Sequence, residues 1–338
     1  MSTNNHLHEM QTAIDQQLRM CVAGLLNDYP LEFISIFNYQ LGWEGESCGK
    51  EAQGKRIRPL LVVLACQACG GDWRKSLPAA AAVELLHNFS LIHDDIQDRS
   101  ETRRSRKTIW VKWGEAQAIN AGDAMLALAQ LSMFDLAAQY DTKLVFNAME
   151  ILHTACLKLT RGQYLDIAFE ERDDLPMDIY WQMVEGKTSS LLSACFGLGA
   201  LLGGAETRTI EMLMAFGNKV GMAFQVQDDW LGIWGDDQKT GKSAVSDLVT
   251  KKKTYPILVG IQKKGKFAKI WNKHKMISPE VAKSLASYLN SEGVSEETKL
   301  KFQQLYSEAF ALLDSIGLNQ EFASRLKGVI KDLLDRIK

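Results

Sequence analysis

The segment AAAAVELLHNFSLIHDDIQDRSETRRSR, Ala79–Arg106, runs from an apolar stretch into a cluster of opposite charges. Ala79–His93 holds no glycine or proline, and its apolar recurrence predicts a helix. Asp94, Asp95 and Asp98 come at the end of that helix. On a wheel of about 100° per residue, Asp95 lies about 100° and Asp98 about 40° from Asp94. The three carboxylates therefore share a face, and His87 falls about 20° from Asp94, two turns down. Carboxylates at this spacing repel one another unless they share a cation. Oxygen ligands of this kind suit Mg²⁺, which completes its shell with water and substrate phosphate. Taken alone, the motif also reads as a solvated helix end.

The same helical reading extends outward. Gly114–Ala138, Lys143–Ile167, Ile179–Leu202, Thr207–Ile233, Ser278–Ser291, Ser295–Ser315 and Glu321–Ile337 carry helical recurrence over long breaker-free stretches. The chain has only 6 prolines in 338 residues, no alternating strand pattern and no Asn-Gly hairpin. No flexible linker and no repeat divides it. The expectation is an all-α fold: residues 1–338 as one domain, a bundle of antiparallel helices around a deep central cavity. Stretches such as 119–138 and 191–202 are apolar nearly all round, which suits the inside of a thick bundle or the wall of a cavity.

Composition narrows the function classes. Lys plus Arg number 39 and Asp plus Glu 41, a net charge of −2. A nucleic-acid binder would carry a basic excess. The longest apolar run, Leu191–Ala205, is too short for a membrane span, and the N-terminus lacks the apolar core of a signal peptide. Six scattered cysteines read as reduced, which points to the cytoplasm. Cys66 and Cys69 have metal-like spacing but no second pair, so they read as core. The TGKS stretch at residues 240–243 resembles the end of a phosphate-binding loop. It lacks the required earlier glycine, since position 236 is Asp, and it follows no strand.

A second apolar helix also ends in paired acids: GMAFQVQDDWLGIWGDD places Asp228 and Asp229 after Gln225, which lies about 60° from Asp228. Two such helices facing across a cavity could hold several Mg²⁺ ions around one polyphosphate. Basic motifs accompany them. GKRIRP offers Lys55, Arg56 and Arg58 at a helix start with Pro59 in its first turn. RRSR adds Arg103 and Arg104, GKTSS adds Lys187, and TGKS adds Lys242. The run Lys251–Lys253 reads first as solvated surface.

The motifs GKRIRP, DDIQD with RR, GQYLD, GKTSSLL, FQVQDD and TGKSAVSDLVTKKKTYP occur in one order over residues 50–260. In that order and spacing the chain resembles the trans-isoprenyl diphosphate synthases, or polyprenyl synthetases. The resemblance implies a helical bundle, a homodimer, and condensation of isopentenyl diphosphate with an allylic diphosphate. It implies that Asp94, Asp95, Asp98, Asp228 and Asp229 hold Mg²⁺, three ions with substrate bound. It implies that Arg103, Lys187, Gln225, Lys242 and Lys252 contact the allylic diphosphate. Lys55, Arg58, His87 and Arg104 match the isopentenyl diphosphate site, Thr188 lies near the reacting carbons, and Gln163 and Asp166 line the wall. Asp94, Asp228, Lys187, Thr188 and Gln225 would carry the chemistry.

That chemistry breaks an allylic C–O bond, so its main demand is stabilisation of departing negative charge. No protein nucleophile is required, and no serine–histidine or cysteine–histidine signature is present. Apolar inner helices would keep water from the cation. Three positions depart from the family pattern. Gly232 stands where a third aspartate of the second motif would be, while Ser105 and Lys251 stand where glycines are common. Bulk just before the first motif limits product length in this family, which directs attention to Phe89 and Ser90. One aromatic with one small residue resembles the makers of geranylgeranyl diphosphate, with farnesyl or longer products as alternatives. A class I terpene cyclase needs no isopentenyl site, a phosphohydrolase needs more histidines, and a non-catalytic partner subunit loses the first aspartates.

Overall fold

The structure, a computed structural model, describes residues 3–24, 28–170, 172, 175–235 and 245–334. Helices run α1 (Thr3–Ala23), α2 (Leu31–Gln40), α3 (Lys50–Gln53), α4 (Ile57–Ala68), α5 (Leu77–Gln97), α6 (Ile109–Trp113), α7 (Glu115–Phe134), α8 (Thr142–Glu170), α9 (Met177–Val184), α10 (Ser190–Leu202) and α11 (Thr207–Trp234). They continue as α12 (Ser246–Val249), α13 (Tyr255–Gln262), α14 (Lys266–Trp271), α15 (Pro279–Ser291), α16 (Val294–Ser315) and α17 (Gln320–Leu334). Among the described residues the only strands are β1 (Thr102–Arg103) and β2 (Arg106–Lys107), an antiparallel pair. The all-α expectation is met, and the predicted helix that begins at Ala79 starts at Leu77, with Pro78 in its first turn.

The chain forms two compact units. One comprises Met1–Cys156, Ala194–Met214 and Leu318–Phe322. Its core shows helical spacing directly: Met10, Ile14 and Leu18 on α1, four residues apart, are fully buried, as are Ala79–Val83 on α5. Small residues bring helices close. A Cβ on Gly199 of α10 would lie 2.4 Å from the Val62 carbonyl of α4, and one on Gly203 would lie 2.6 Å from that of Cys66. This contact encloses Cys66 in the core, while Cys69 is only partly buried, and burial pushes the Cys66 thiol up to about 12. The other unit comprises Leu157–Ser193, Ala215–Gly317 and Ala323–Lys338. Its fully buried large side chains include Tyr180, Phe216, Phe267 and Trp271.

Two findings differ from the sequence pattern. The stretch Ile179–Leu202 is not uniform α-helix, because Glu185–Ser189 forms a π-helical turn between α9 and α10. The apolar α7 is not wholly enclosed: Ile119, Leu131 and Phe134 are 43%, 57% and 54% exposed. An unbroken helical pattern fixes periodicity only to the nearest turn, and it does not say what covers each face.

The two substituted glycines have a conformational reading. Ser105 follows Arg104 in the β1–β2 turn, with φ of 60° and 52°, and Lys251 has φ 56°. All three are left-handed, the conformation that a side chain disfavours. Ser105→Gly is therefore expected to raise stability by about 1 kcal/mol, measured by urea unfolding.

Candidate active site

In the first unit α5 carries its acidic end into the β1–β2 hairpin. Asp95 is 3% exposed. Arg103 grips it, with Nε 2.9 and 3.0 Å from its two oxygens and Nη2 2.8 Å from Oδ1. Burial raises the Asp95 pKa and the Arg103 contact opposes that rise. Asp94 is partly exposed and Asp98, at the helix C-cap, is exposed. Asp95 is thus committed to an ion pair, whereas Asp94 and Asp98 reach solvent.

The basic residues singled out in the sequence gather around His87. Arg58 Nη1 lies 3.3 Å from His87 Nε2. Burial, then the charges of Arg58, Arg104, Arg103 and Arg56, push the imidazole well below its ordinary value, so it is neutral near pH 7. Its Nε2 then accepts from Arg58. Arg104 donates to the Ala52 carbonyl at 2.8 Å, tying the hairpin to α3. Lys55, next to Arg56 in sequence, is exposed. Arg56, in the same motif, turns inward instead. Its Nη1 meets Glu84 Oε1 at 2.8 Å and its Nη2 meets the Leu41 carbonyl at 2.9 Å.

Phe89 and Ser90 are both 7% exposed. The Phe89 ring meets that of His93 edge-on, centroids 4.8 Å apart. Ser90 donates to the His87 carbonyl at 2.8 Å. Behind His93 the α7 backbone is close: a Cβ on Gly122 would lie 2.2 Å from the ring.

In the second unit the π-turn places Lys187 and Thr188. Glycines let neighbouring backbones touch it: a Cβ on Gly162 of α8 would meet the Lys187 nitrogen at 2.0 Å, and one on Gly221 of α11 would meet Ser189 Cα at 2.5 Å. Lys187 Nζ lies 2.5 Å from Asp166 Oδ2. Burial alone would raise Asp166, but Lys252 and Lys187 outweigh it and hold the carboxyl below its ordinary value. Gln163, one turn before Asp166 on α8, is 7% exposed.

Thr188 Oγ1 donates to Gln225 Oε1 at 2.6 Å, and Gln225 Nε2 donates to Asp229 Oδ1 at 2.8 Å. The other oxygen of Asp229 accepts from the Tyr180 hydroxyl at 2.6 Å and from the Tyr255 N–H at 2.9 Å. Asp229 is 4% exposed, and burial pushes its pKa up to about 6 against these three hydrogen bonds. Asp228 is partly exposed. Tyr180 and the Tyr255 N–H are site-supporting groups that sequence reasoning missed.

At Gly232 a Cβ would lie 2.1 Å from Asp247 Oδ2. The space of the missing third side chain is filled by a carboxylate from α12. Lys242, Asp236 and the C-terminal basic residues Arg336 and Lys338 lie outside the described residues.

Among the described residues no three His, Cys, Asp or Glu side chains come together to hold a metal alone. The donor chemistry nevertheless fits magnesium, which takes one or two carboxylates and completes its shell from water and phosphate. No helix among the described residues is long and apolar enough to cross a membrane.

A profile of the polyprenyl synthetase family matches residues 48–289. A (2E,6E)-farnesyl diphosphate synthase from Mycobacterium bovis is 46% identical over 225 residues, 66% of this chain. That alignment spans 61% of the relative's length. A geranylgeranyl diphosphate synthase from Mycobacterium tuberculosis is 40% identical over 69% of this chain and 67% of its own. The crystal structure of a polyprenyl synthetase from Streptomyces coelicolor superposes with a TM-score of 0.88 at 32% identity, covering 98% of this chain and 99% of that one.

Proposed function

Because the chain belongs to the polyprenyl synthetase family, we propose that it is a magnesium-dependent trans-prenyltransferase. It joins isopentenyl diphosphate head-to-tail to an allylic diphosphate, and residues 1–338 act as one functional domain. The observation that carries this reading is the arginine cluster around a neutral His87, an arrangement suited to a polyanion. Arg58, His87 and Arg104, with Lys55, bind isopentenyl diphosphate. Arg103, Lys187, Lys252 and Lys242 contact the allylic diphosphate.

Magnesium, when bound, neutralises the departing diphosphate. Asp94, Asp95, Asp98, Asp228 and Asp229 are the residues to hold it, three ions in all with substrate. Asp95 and Asp229 also keep the motifs in place, because both oxygens of each accept protein hydrogen bonds. Thr188 and Gln225 are fixed by their mutual bond and turn their remaining polar surface to the reacting carbons. Cationic groups preorganised where charge develops accelerate the bond cleavage without any protein nucleophile.

The test is incubation with Mg²⁺, labelled isopentenyl diphosphate and each allylic diphosphate in turn. Longer prenyl diphosphates are expected. A hydrocarbon product would favour a cyclase, and phosphate release alone a hydrolase. No turnover with any primer would favour a non-catalytic subunit.

For the product we favour twenty carbons, with farnesyl diphosphate as the second reading because a farnesyl diphosphate synthase is 46% identical. Phe89→Ala is expected to lengthen the main product by at least one five-carbon unit, read by chromatography of the dephosphorylated alcohols. An unchanged product would remove Phe89 from any role in depth. The exposed apolar side chains of α7 supply a face for a second copy, and a homodimer is the assembly we propose. Six unpaired cysteines suit a cytoplasmic enzyme.

A further inference from the structure

From Leu248 to Pro279 the chain carries nine lysines and no acidic residue, leaving 30 of its 39 basic side chains to meet all 41 acidic ones elsewhere. Some of the nine are engaged. Lys251 Nζ donates to the carbonyls of Trp271 and His274, at 3.4 and 2.6 Å. Lys252 acts on Asp166, Lys253 is buried, and Lys263 pairs with Glu297 at 2.9 Å. The remaining five, Lys264, Lys266, Lys269, Lys273 and Lys275, are all exposed. None of their ammonium groups has an ion pair or hydrogen bond among the described residues.

Three of these five share one side of a helix, and Lys264 and Lys275 flank that helix in sequence. Lys266, Lys269 and Lys273 follow helical spacing along α14 and the turn after it. The opposite side is nailed down: Phe267 and Trp271, one turn apart, are 0% and 2% exposed, with stacked rings 5.5 Å apart. Glu292, just after α15, accepts the Phe267 N–H at 3.0 Å. Beside Lys275, Met276 is 88% exposed.

We propose that this face docks on an anionic bilayer surface. Lysine is depleted at protein–protein interfaces, where arginine and aromatic anchors dominate. Single-stranded nucleic acid is held by aromatic stacking, and Tyr255, Phe267 and Trp271 of this segment are all buried. Lipid headgroups ask only for clustered positive charge, and four to eight basic residues suffice to read as such a site. A flexible, exposed methionine can enter the headgroup–acyl boundary that stacking partners cannot use. The inference stands apart from the proposed chemistry, though a product with a charged head and a long apolar tail would benefit from release beside a bilayer.

The experiment is co-sedimentation of the full chain with phosphatidylcholine vesicles, with and without one-third phosphatidylglycerol, at low and high salt. Binding is expected only to the anionic vesicles, and weaker at high salt. Each Lys→Ala change among the five is expected to lower partitioning about fivefold, and the fivefold variant should not sediment. Circular dichroism establishes that this surface variant is folded. Equal sedimentation of wild type and variant, no binding to anionic vesicles, or stronger retention of the wild type by single-stranded RNA would each overturn the proposal.

Discussion

Asp229→Asn is expected to lower turnover by about 10²-fold or more while stabilising the metal-free protein above pH 6. Asp229 gathers Tyr180, Tyr255 and Gln225 on its two oxygens, and Gln225 in turn fixes Thr188. An asparagine presents an amide to the Gln225 amide, so that bond is lost and Thr188 loses its fixed partner. The stability effect has the opposite sign. Burial pushes Asp229 up to about 6 in the folded chain, above roughly 3.9 for an unfolded aspartate. Between those values the native state holds a proton that the unfolded chain has released. Stability from this group therefore falls as pH rises from about 4 to about 6, and the full cost above that window is about 3 kcal/mol. Asparagine does not titrate and escapes that cost. Urea unfolding in a chelator across this range should show the variant gaining on wild type as pH rises, then running parallel. A difference that does not vary with pH would show that Asp229 is not raised.

Glu84→Ala is expected to cost about 3–5 kcal/mol. Glu84 and Arg56 are 3% and 8% exposed, and the carboxylate also accepts from the Asn88 amide at 3.1 Å. Removing it leaves the guanidinium charge inside the protein with the Leu41 carbonyl and, at 4.0 Å, the partly exposed Asp15 carboxylate as its remaining partners. Arg56→Met in the Glu84→Ala background should recover most of the loss, because the penalty comes from an uncompensated charge. Denaturant titration of both single variants and the double variant closes the cycle; a double variant as unstable as the sum of the singles would refute the account. Arg56 also has a left-handed backbone, φ 47°, and stands between Lys55 and Arg58. The same cycle should therefore raise KM for isopentenyl diphosphate more than it lowers kcat.

Long helices were legible because each repeats its apolar side chains over several turns, as in Ala79–His93 and Thr207–Ile233. The acidic residues were legible because each group sits near a helix end with fixed angular spacing, as Asp94–Asp98 on α5 and Asp228–Asp229 on α11 show. Pairings far apart in sequence were not. Arg56 and Glu84 are joined only by tertiary packing, and nothing in GKRIRP says which cation turns inward. The β1–β2 hairpin escaped because two-residue strands show no alternation. Gly232 looked like a loss of charge, while the structure puts the Asp247 carboxylate in the space that an added side chain would need.

The π-turn at Glu185–Ser189 bears on how the chain tolerates length changes. Tyr180 and Thr188 both end in the Asp229–Gln225 network, yet eight residues of uninterrupted α-helix would set them about 80° apart. A turn closed one residue wider absorbs much of that offset and brings both onto a common side. The segment thus behaves as one residue added to a helix whose flanks keep a common side. Deleting Glu185 would leave every site side chain encoded and place Thr188 seven residues after Tyr180, about 20° away on an uninterrupted α-helix, so the register would be kept while the wide turn is lost. In a deletion scan through 185–189 the exposed Glu185 is therefore expected to be the permissive position, whereas deletion of Lys187 or Thr188 removes a site residue.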